Sequence, residues 1–203
     1  MFFKLSVLKR LFKAAYKGTG LVIGHVEDGG VSGLYVTGSW WSIFFNDGYM
    51  PKEVRGELIS LAGELPEGNY AFRTENEEYN QSCMIDPAMN DIWETVRGCR
   101  YSYKVTRFLE AYNGMILRFL HESKSDSLIK INDMALSMID LDAIDEDDGE
   151  MLPNGPVTTG INADHIYWSN DRCVLKVQRG ALDSDMREVE QAYKALEPDK
   201  REG

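Results

Sequence analysis

The fold class follows from residues 101–123, which have the sequence YSYKVTRFLEAYNGMILRFLHES. Two runs rich in aromatic and β-branched residues flank Asn113-Gly114, and Asn-Gly between such runs is the strongest short-range signal for a β-hairpin. A second pair of runs, HIYW at 165–168 and RCVLKVQ at 172–178, lies on either side of a short polar turn. The sequence therefore predicts at least two antiparallel ribbons.

Helices alternate with these ribbons, but not in a regular strand–helix–strand repeat. A basic helix is predicted at the start of the chain, and apolar spacing predicts others over 52–65, 87–96, 134–139 and 183–196. Further strands are predicted over 21–26, 33–45, 69–74 and 128–131. We therefore expect an α+β fold: antiparallel β-ribbons with flanking helices, including the basic N-terminal helix and a charged C-terminal helix. The length suits one domain over residues 1–203, with a possible two-lobed division near 75–86.

Composition indicates a folded cytoplasmic protein. Apolar residues make up 43% and charged residues 27% of the 203 residues, which excludes wholesale disorder. No run approaches the ~20 apolar residues that a membrane span needs. Cys83, Cys99 and Cys173 are odd in number and widely spaced, which favours a reducing compartment over a disulfide framework.

Basic residues are concentrated in the first helix. No acidic residue precedes Glu27, and the opening stretch carries five basic side chains among apolar residues at helical spacing: Lys4, Lys9, Arg10, Lys13 and Lys17. We expect Leu5, Leu8 and Phe12 to pack on the core with the basic side chains in water. The alternatives are contact with a membrane surface, with nucleic-acid phosphates, or with an acidic patch, including one on this protein.

Acidic residues are concentrated in the second half of the chain. Residues 131–171 contain no Lys or Arg, and seven carboxylates lie close together: Asp140, Asp142, Asp145, Glu146, Asp147, Asp148 and Glu150. An EF-hand does not fit, because the required Gly is one position early and position twelve is Pro156. The plain interpretation is a solvated loop. The functional hypothesis is a DNA mimic, in which this segment occupies the basic groove of a nucleic-acid-handling protein.

No specific catalytic motif is present. The sequence lacks both G-x-S-x-G and a P-loop, and the three histidines are widely separated. We therefore predict no catalytic residue, no cofactor and no metal, and a protein that is not an enzyme. One alternative remains: Glu122-Ser123-Lys124 has the Glu-x-Lys form of metal-dependent nucleases, with Glu110 across the hairpin as the second carboxylate.

One segment resembles proteins of phages and mobile elements. Residues 38–68, GSWWSIFFNDGYMPKEVRGELISLAGELPEG, are similar to a recurrent segment in such proteins from gut Firmicutes. Anti-CRISPR inhibitors come from the same pool of small acidic proteins. This resemblance implies a phage-borne inhibitor whose partner is a CRISPR effector nuclease, in agreement with the acidic mimic hypothesis.

The C-terminal half resembles the last repeat of a DNA sliding clamp. The segments IKINDMALSMIDL (129–141) and HIYWSNDRCVLKVQRG (165–180) follow the order strand, short helix, proline segment and closing ribbon, with Asn132, Leu136 and Pro156 in the matching places. This resemblance implies a DNA-associated accessory protein. Only the basic first helix could then face DNA, because the C-terminal half is acidic.

Overall fold

The structure is a computed structural model that describes residues 2–76, 79–125, 127–140, 154–180 and 191–192. These ranges contain four α-helices: α1 Leu5–Lys17, α2 Lys52–Ala62, α3 Ile92–Arg97 and α4 Met134–Met138. They also contain a 3-10 helix over Pro87–Met89 and eleven strands: β1 Leu21–Asp28, β2 Val31–Thr37, β3 Trp41–Asn46, β4 Tyr70–Thr74, β5 Gln81–Cys83, β6 Tyr101–Tyr112, β7 Met115–Glu122, β8 Leu128–Asn132, β9 Asn154–Thr158, β10 His165–Ser169 and β11 Cys173–Gln178. The fold is α+β, as the sequence predicts. None of the helices in these ranges is both long and apolar enough to cross a membrane.

All eleven strands belong to one antiparallel sheet, in the order β5-β4-β1-β2-β3-β11-β10-β9-β6-β7-β8. Strand β11, the last in sequence among the described strands, lies in the middle of this order, where Lys176 is directly opposite Ser42 of β3 and Tyr167 of β10. Strand β8 returns towards β11: Ile131 bridges to Arg179, and the Gly180 N–H donates to the Lys130 carbonyl at 2.8 Å. The part of the sheet from β11 to β8 is therefore curved, so that β8 lies beside the end of β11.

Both faces of the central strands of the sheet are covered. The strands alternate between two apolar clusters, so that Ile43 and Phe45 of β3 enter the first cluster and Phe44 enters the second. Helices α1, α2 and α4 contribute to the first cluster, and the 3-10 helix with α3 contributes to the second. This explains the long apolar runs in these strands, since a sheet covered on both faces does not need alternating polar residues.

Helix α1 packs on the first cluster as expected. Leu8 and Phe12 are fully buried, and the Phe12 ring centroid lies 5.8 Å from that of Trp41. Leu5 is half-buried against the same cluster. Ahead of the helix, the Lys4 N–H donates to the Met138 carbonyl at 2.8 Å, which ties the start of α1 to the end of α4.

The prediction of one strand over 33–45 is wrong. The chain turns at Gly38, whose N–H donates to the Trp41 carbonyl at 2.9 Å, and residues 31–46 form the hairpin β2–β3. Glycine is needed at this turn, because a Cβ at position 38 would overlap the Trp41 indole. The hairpins at 101–123 and 165–178 are confirmed, and Asn113 and Gly114 have positive φ, as this kind of turn needs.

Two predicted helices have different bounds in the structure. The helix predicted over 52–65 ends at Ala62, because Gly63 has φ +80° and its N–H donates to the Ile59 carbonyl at 2.7 Å. The helix predicted over 87–96 is split into the 3-10 helix and α3. Asp86 is the N-cap as expected, with a carboxylate oxygen accepting from the Ala88 N–H at 3.0 Å.

Strands β5 and β9 were not predicted. The predicted C-terminal helix over 183–196 lies outside the described residues except for 191–192. The possible division near 75–86 remains a prediction.

Candidate functional site

The predicted acidic site is described only at its first residue. Asp140 follows α4, and its N–H donates to the Phe2 carbonyl at 2.9 Å. The other six carboxylates of the segment lie outside the described residues: Asp142, Asp145, Glu146, Asp147, Asp148 and Glu150. The acidic segment therefore begins beside the N-terminal end of α1.

Charge is distributed unevenly along the sequence. The first 26 residues contain five basic side chains and no acidic one, whereas residues 131–171 contain ten acidic side chains and no Lys or Arg. Seven of the 33 acidic side chains lie within residues 140–150.

The basic face of α1 is partly neutralised by the protein itself. Lys13 Nζ lies 3.1 Å and Lys9 Nζ 3.9 Å from the Glu57 carboxylate on α2. Arg10 donates to the sulfur of Met134 at 3.3 Å. Lys4 is half-buried and Lys17 is exposed. The carboxylate of Glu57 is therefore one acidic group that the basic face of α1 contacts within the protein itself.

The structure separates the carboxylates of the nuclease hypothesis. Glu110 is opposite Leu117 near the tip of the β6–β7 hairpin, whereas Glu122 is opposite Tyr103 at its base. Glu110 instead pairs with Lys130 at 2.8 Å, and Glu122 accepts a hydrogen bond from the backbone N–H of Lys124 at 3.0 Å. In the described ranges no three His, Cys, Asp or Glu side chains come together as metal ligands.

The cysteines do not have the environment of a nucleophile. None of the three forms a disulfide, and Cys173 is buried, with its Sγ 3.2 Å from Asn170 Oδ1. Burial raises the pKa of Cys83, and burial raises the pKa of Cys99 to about 11. A thiol must ionise to attack, so these shifts oppose reactivity at neutral pH.

A groove of about 650 Å³ lies between α2, the loop that follows it and one end of the sheet. Leu34, Phe45 and Phe72 form part of its lining from the strands, and Arg55 and Ile59 line it from α2. Its volume is within the range of ligand pockets. Twelve of its sixteen lining residues come from residues 38–68, so this segment builds most of one surface.

A chain of polar contacts joins strands β1 and β2 to two loops at the edge of this groove. His25 Nδ1 lies 2.9 Å from the Gly68 carbonyl oxygen, and His25 Nε2 lies 3.1 Å from Asp47 Oδ1. The Ser32 hydroxyl donates to the other oxygen of the Asp47 carboxylate. Both ring nitrogens of His25 therefore contact oxygen atoms of the loops that follow β3 and α2. The histidine therefore ties β1 to the loops that contain Asp47 and Gly68.

No protein family, curated protein or solved structure matches this chain. Both resemblances of the sequence therefore remain predictions. Sequence reasoning missed the groove, although the density of Gly, Pro and charged residues over 46–68 was a usable signal for a functional loop region.

Proposed function

We propose that this protein is a non-enzymatic acidic binding protein that acts in the cytoplasm on a nucleic-acid-handling protein. The partner we propose is a CRISPR effector nuclease, which a phage-borne inhibitor would block. The acidic segment Asp140 to Glu150 is the proposed contact, and it would occupy the basic groove in which the partner holds nucleic acid.

The charge distribution is the observation that carries this proposal. Seven carboxylates lie within residues 140–150, and no Lys or Arg occurs between Lys130 and Arg172 to neutralise them locally. Several basic side chains of the described part are paired with carboxylates instead, including Lys13 with Glu57, Arg118 with Asp133 and Lys130 with Glu110. A concentrated acidic segment complements the positive charge of a nucleic-acid groove in a partner.

The test is inhibition of purified CRISPR effector nucleases, loaded with guide RNA, in a DNA cleavage assay. We expect the quadruple variant Asp145→Asn, Glu146→Gln, Asp147→Asn, Asp148→Asn to lose inhibition by about 100-fold, since charges that meet an opposite charge at an interface contribute strongly to its affinity. Affinity for the same nuclease, measured at physiological salt, should fall in parallel.

The matched control removes four acidic charges elsewhere in the chain: Asp183, Asp185, Glu188 and Glu190, each replaced by its amide. It changes the net charge equally, and we expect its inhibition to stay close to that of the unaltered protein. If the two quadruple variants have equal effects, inhibition depends on the net charge of the protein and not on the acidic segment. Absence of binding to every nuclease in the panel would remove the proposed partner class.

The second candidate function is a clamp-like, DNA-associated protein. The order β8, α4, β9, β10, β11 in the structure supports it, because it reproduces the strand, short helix and closing ribbon on which the resemblance rests. Arg10 and Lys17 are exposed on α1 and would be the DNA contacts. If the protein has this function, we expect it to form an oligomer that binds duplex DNA at low salt. The double variant Arg10→Gln, Lys17→Gln should lose that binding. A monomer without affinity for DNA would contradict this function.

A further inference from the structure

A small polar pocket of about 200 Å³ lies on the second face of the sheet, beside the β2–β3 turn. Ser42 of β3, His165 of β10 and Lys176 of β11 line it from the strands, and Asp86 lines it from the loop before the 3-10 helix. The Trp40 and Trp41 residues also line it. Strands that are far apart in sequence thus bring hydroxyl, imidazole and ammonium groups to one cavity.

Lys176 is a nearly buried cation with hydrogen-bonding capacity left. Its side chain is 11% exposed, and its Nζ lies 3.3 Å from Asp86 Oδ2. An ammonium group has three N–H donors, and Asp86 is its one acceptor among the described residues. The other Asp86 oxygen accepts from the Ala88 N–H, so both oxygens of this carboxylate already have donors. A buried ammonium with spare donors favours an anionic oxygen nearby.

The neighbouring groups add donors to the same pocket. Ser42 Oγ accepts from the Thr37 hydroxyl at 2.9 Å, which leaves the O–H of Ser42 able to donate elsewhere. Burial lowers the pKa of His165, and the charge of Lys176 lowers it further, whereas Asp164 and Asp86 oppose this shift. The neutral ring carries one N–H donor.

We propose that this pocket binds a small oxyanion, a phosphate or a carboxylate, with Lys176, Ser42 and His165 as its donors. The volume admits a group of a few heavy atoms but not a whole nucleotide. Lys176 supplies the charge, and the hydroxyl and imidazole groups supply directed hydrogen bonds. This site is independent of the acidic segment.

The experiment titrates the full chain with inorganic phosphate and, separately, with acetate, using chloride to keep the ionic strength constant. Binding is followed by calorimetry and by the NMR signal of the His165 ring. We expect saturable binding of at least one of the two anions, with a shift of the His165 signal and a higher pKa for this ring in the complex, because an anion stabilises its protonated form. Lys176→Met should weaken binding at least tenfold, and Lys176→Arg should retain most of it.

Lys124→Met is the matched control, since it removes a lysine from the loop after β7, away from the pocket, and it should bind as the unaltered protein does. If Lys176→Met fails to fold, the double variant Ser42→Ala, His165→Gln takes its place and should weaken binding severalfold. Binding of phosphate and of acetate both support the site, and their relative affinities identify the preferred oxyanion. The proposal is overturned if neither anion gives a saturable response, or if folded Lys176→Met binds as tightly as the unaltered protein.

Discussion

The centre of the sheet and the β6–β7 hairpin are built from similar residues but have different surroundings. In the centre, the side chains of β3 and β11 are almost all buried, because helices and loops cover both faces. In the hairpin, Val105, Leu109 and Ile116 are 47%, 51% and 53% exposed. Residues that favour β-strands therefore lead both segments to pair with neighbouring strands. How much their side chains stabilise the fold depends instead on whether helices and loops cover them.

The largest expected effect is the contrast between Phe12→Ala and Ile116→Ala. Phe12 connects α1 to Trp41 in the first cluster, and we expect its replacement to lower the free energy of unfolding by about 3–5 kcal/mol. Ile116 is half-exposed on the hairpin, and its replacement should cost less than about 1 kcal/mol. Urea unfolding followed by circular dichroism measures both values. Similar losses for the two variants would show that the hairpin is as well packed as the centre.

A smaller difference is expected between two glycine substitutions. At Gly24 in β1, a Cβ would overlap the ring of Tyr35, whose hydroxyl accepts from the Asp86 N–H at 3.1 Å and so cannot easily move. We expect Gly24→Ala to cost about 3 kcal/mol through overpacking.

Gly114, at the tip of the hairpin, has φ +76° and open space around it. Gly114→Ala should therefore cost only the strain of the left-handed conformation, about 1 kcal/mol. Thermal unfolding of the two variants compares them. A larger loss for Gly114→Ala would mean that the turn, and not the covered centre, limits stability.

The smallest effect concerns thiol reactivity. Burial raises the pKa of Cys99, which lies against the second cluster, to about 11. Its alkylation by iodoacetamide should be slow at pH 8 and should keep increasing up to pH 10, because the thiolate fraction grows about tenfold per pH unit below the pKa. Mass spectrometry of the peptides that contain Cys83 and Cys99 gives both rates. A rate for Cys99 that levels off near pH 9 would contradict the burial of this thiol.

The parts of the fold that follow local rules could be predicted from the sequence. The hairpin at Asn113-Gly114 and the Asp86 cap depend on residues close together in the chain, and both are in the structure. The break at Gly38 was missed, because it depends on how the Trp41 ring packs against that glycine. Strands β5 and β9 were missed because one is three residues long and the other contains Pro156.

The candidate sites also differ in whether they could be predicted from the sequence. The acidic segment is visible in the sequence because charge is additive along the chain. The oxyanion pocket is not visible, since it depends on Lys176 lying opposite Ser42, a register set by the pairing of two strands more than a hundred residues apart. The groove beside α2 likewise requires His25 to meet Gly68 and Asp47 in three dimensions.

The position of β11 between β3 and β10 also has a consequence for synthesis on the ribosome. Strand β3 ends at Asn46, but the strand that covers its free edge ends at Gln178. At cellular elongation rates the edge of β3 stays unpaired for on the order of ten seconds after it emerges. During that time an apolar strand with unpaired backbone groups is open to pairing with other nascent chains. We therefore expect folding during synthesis to be more prone to mispairing at this edge than refolding of the complete chain, in which β11 is present from the start.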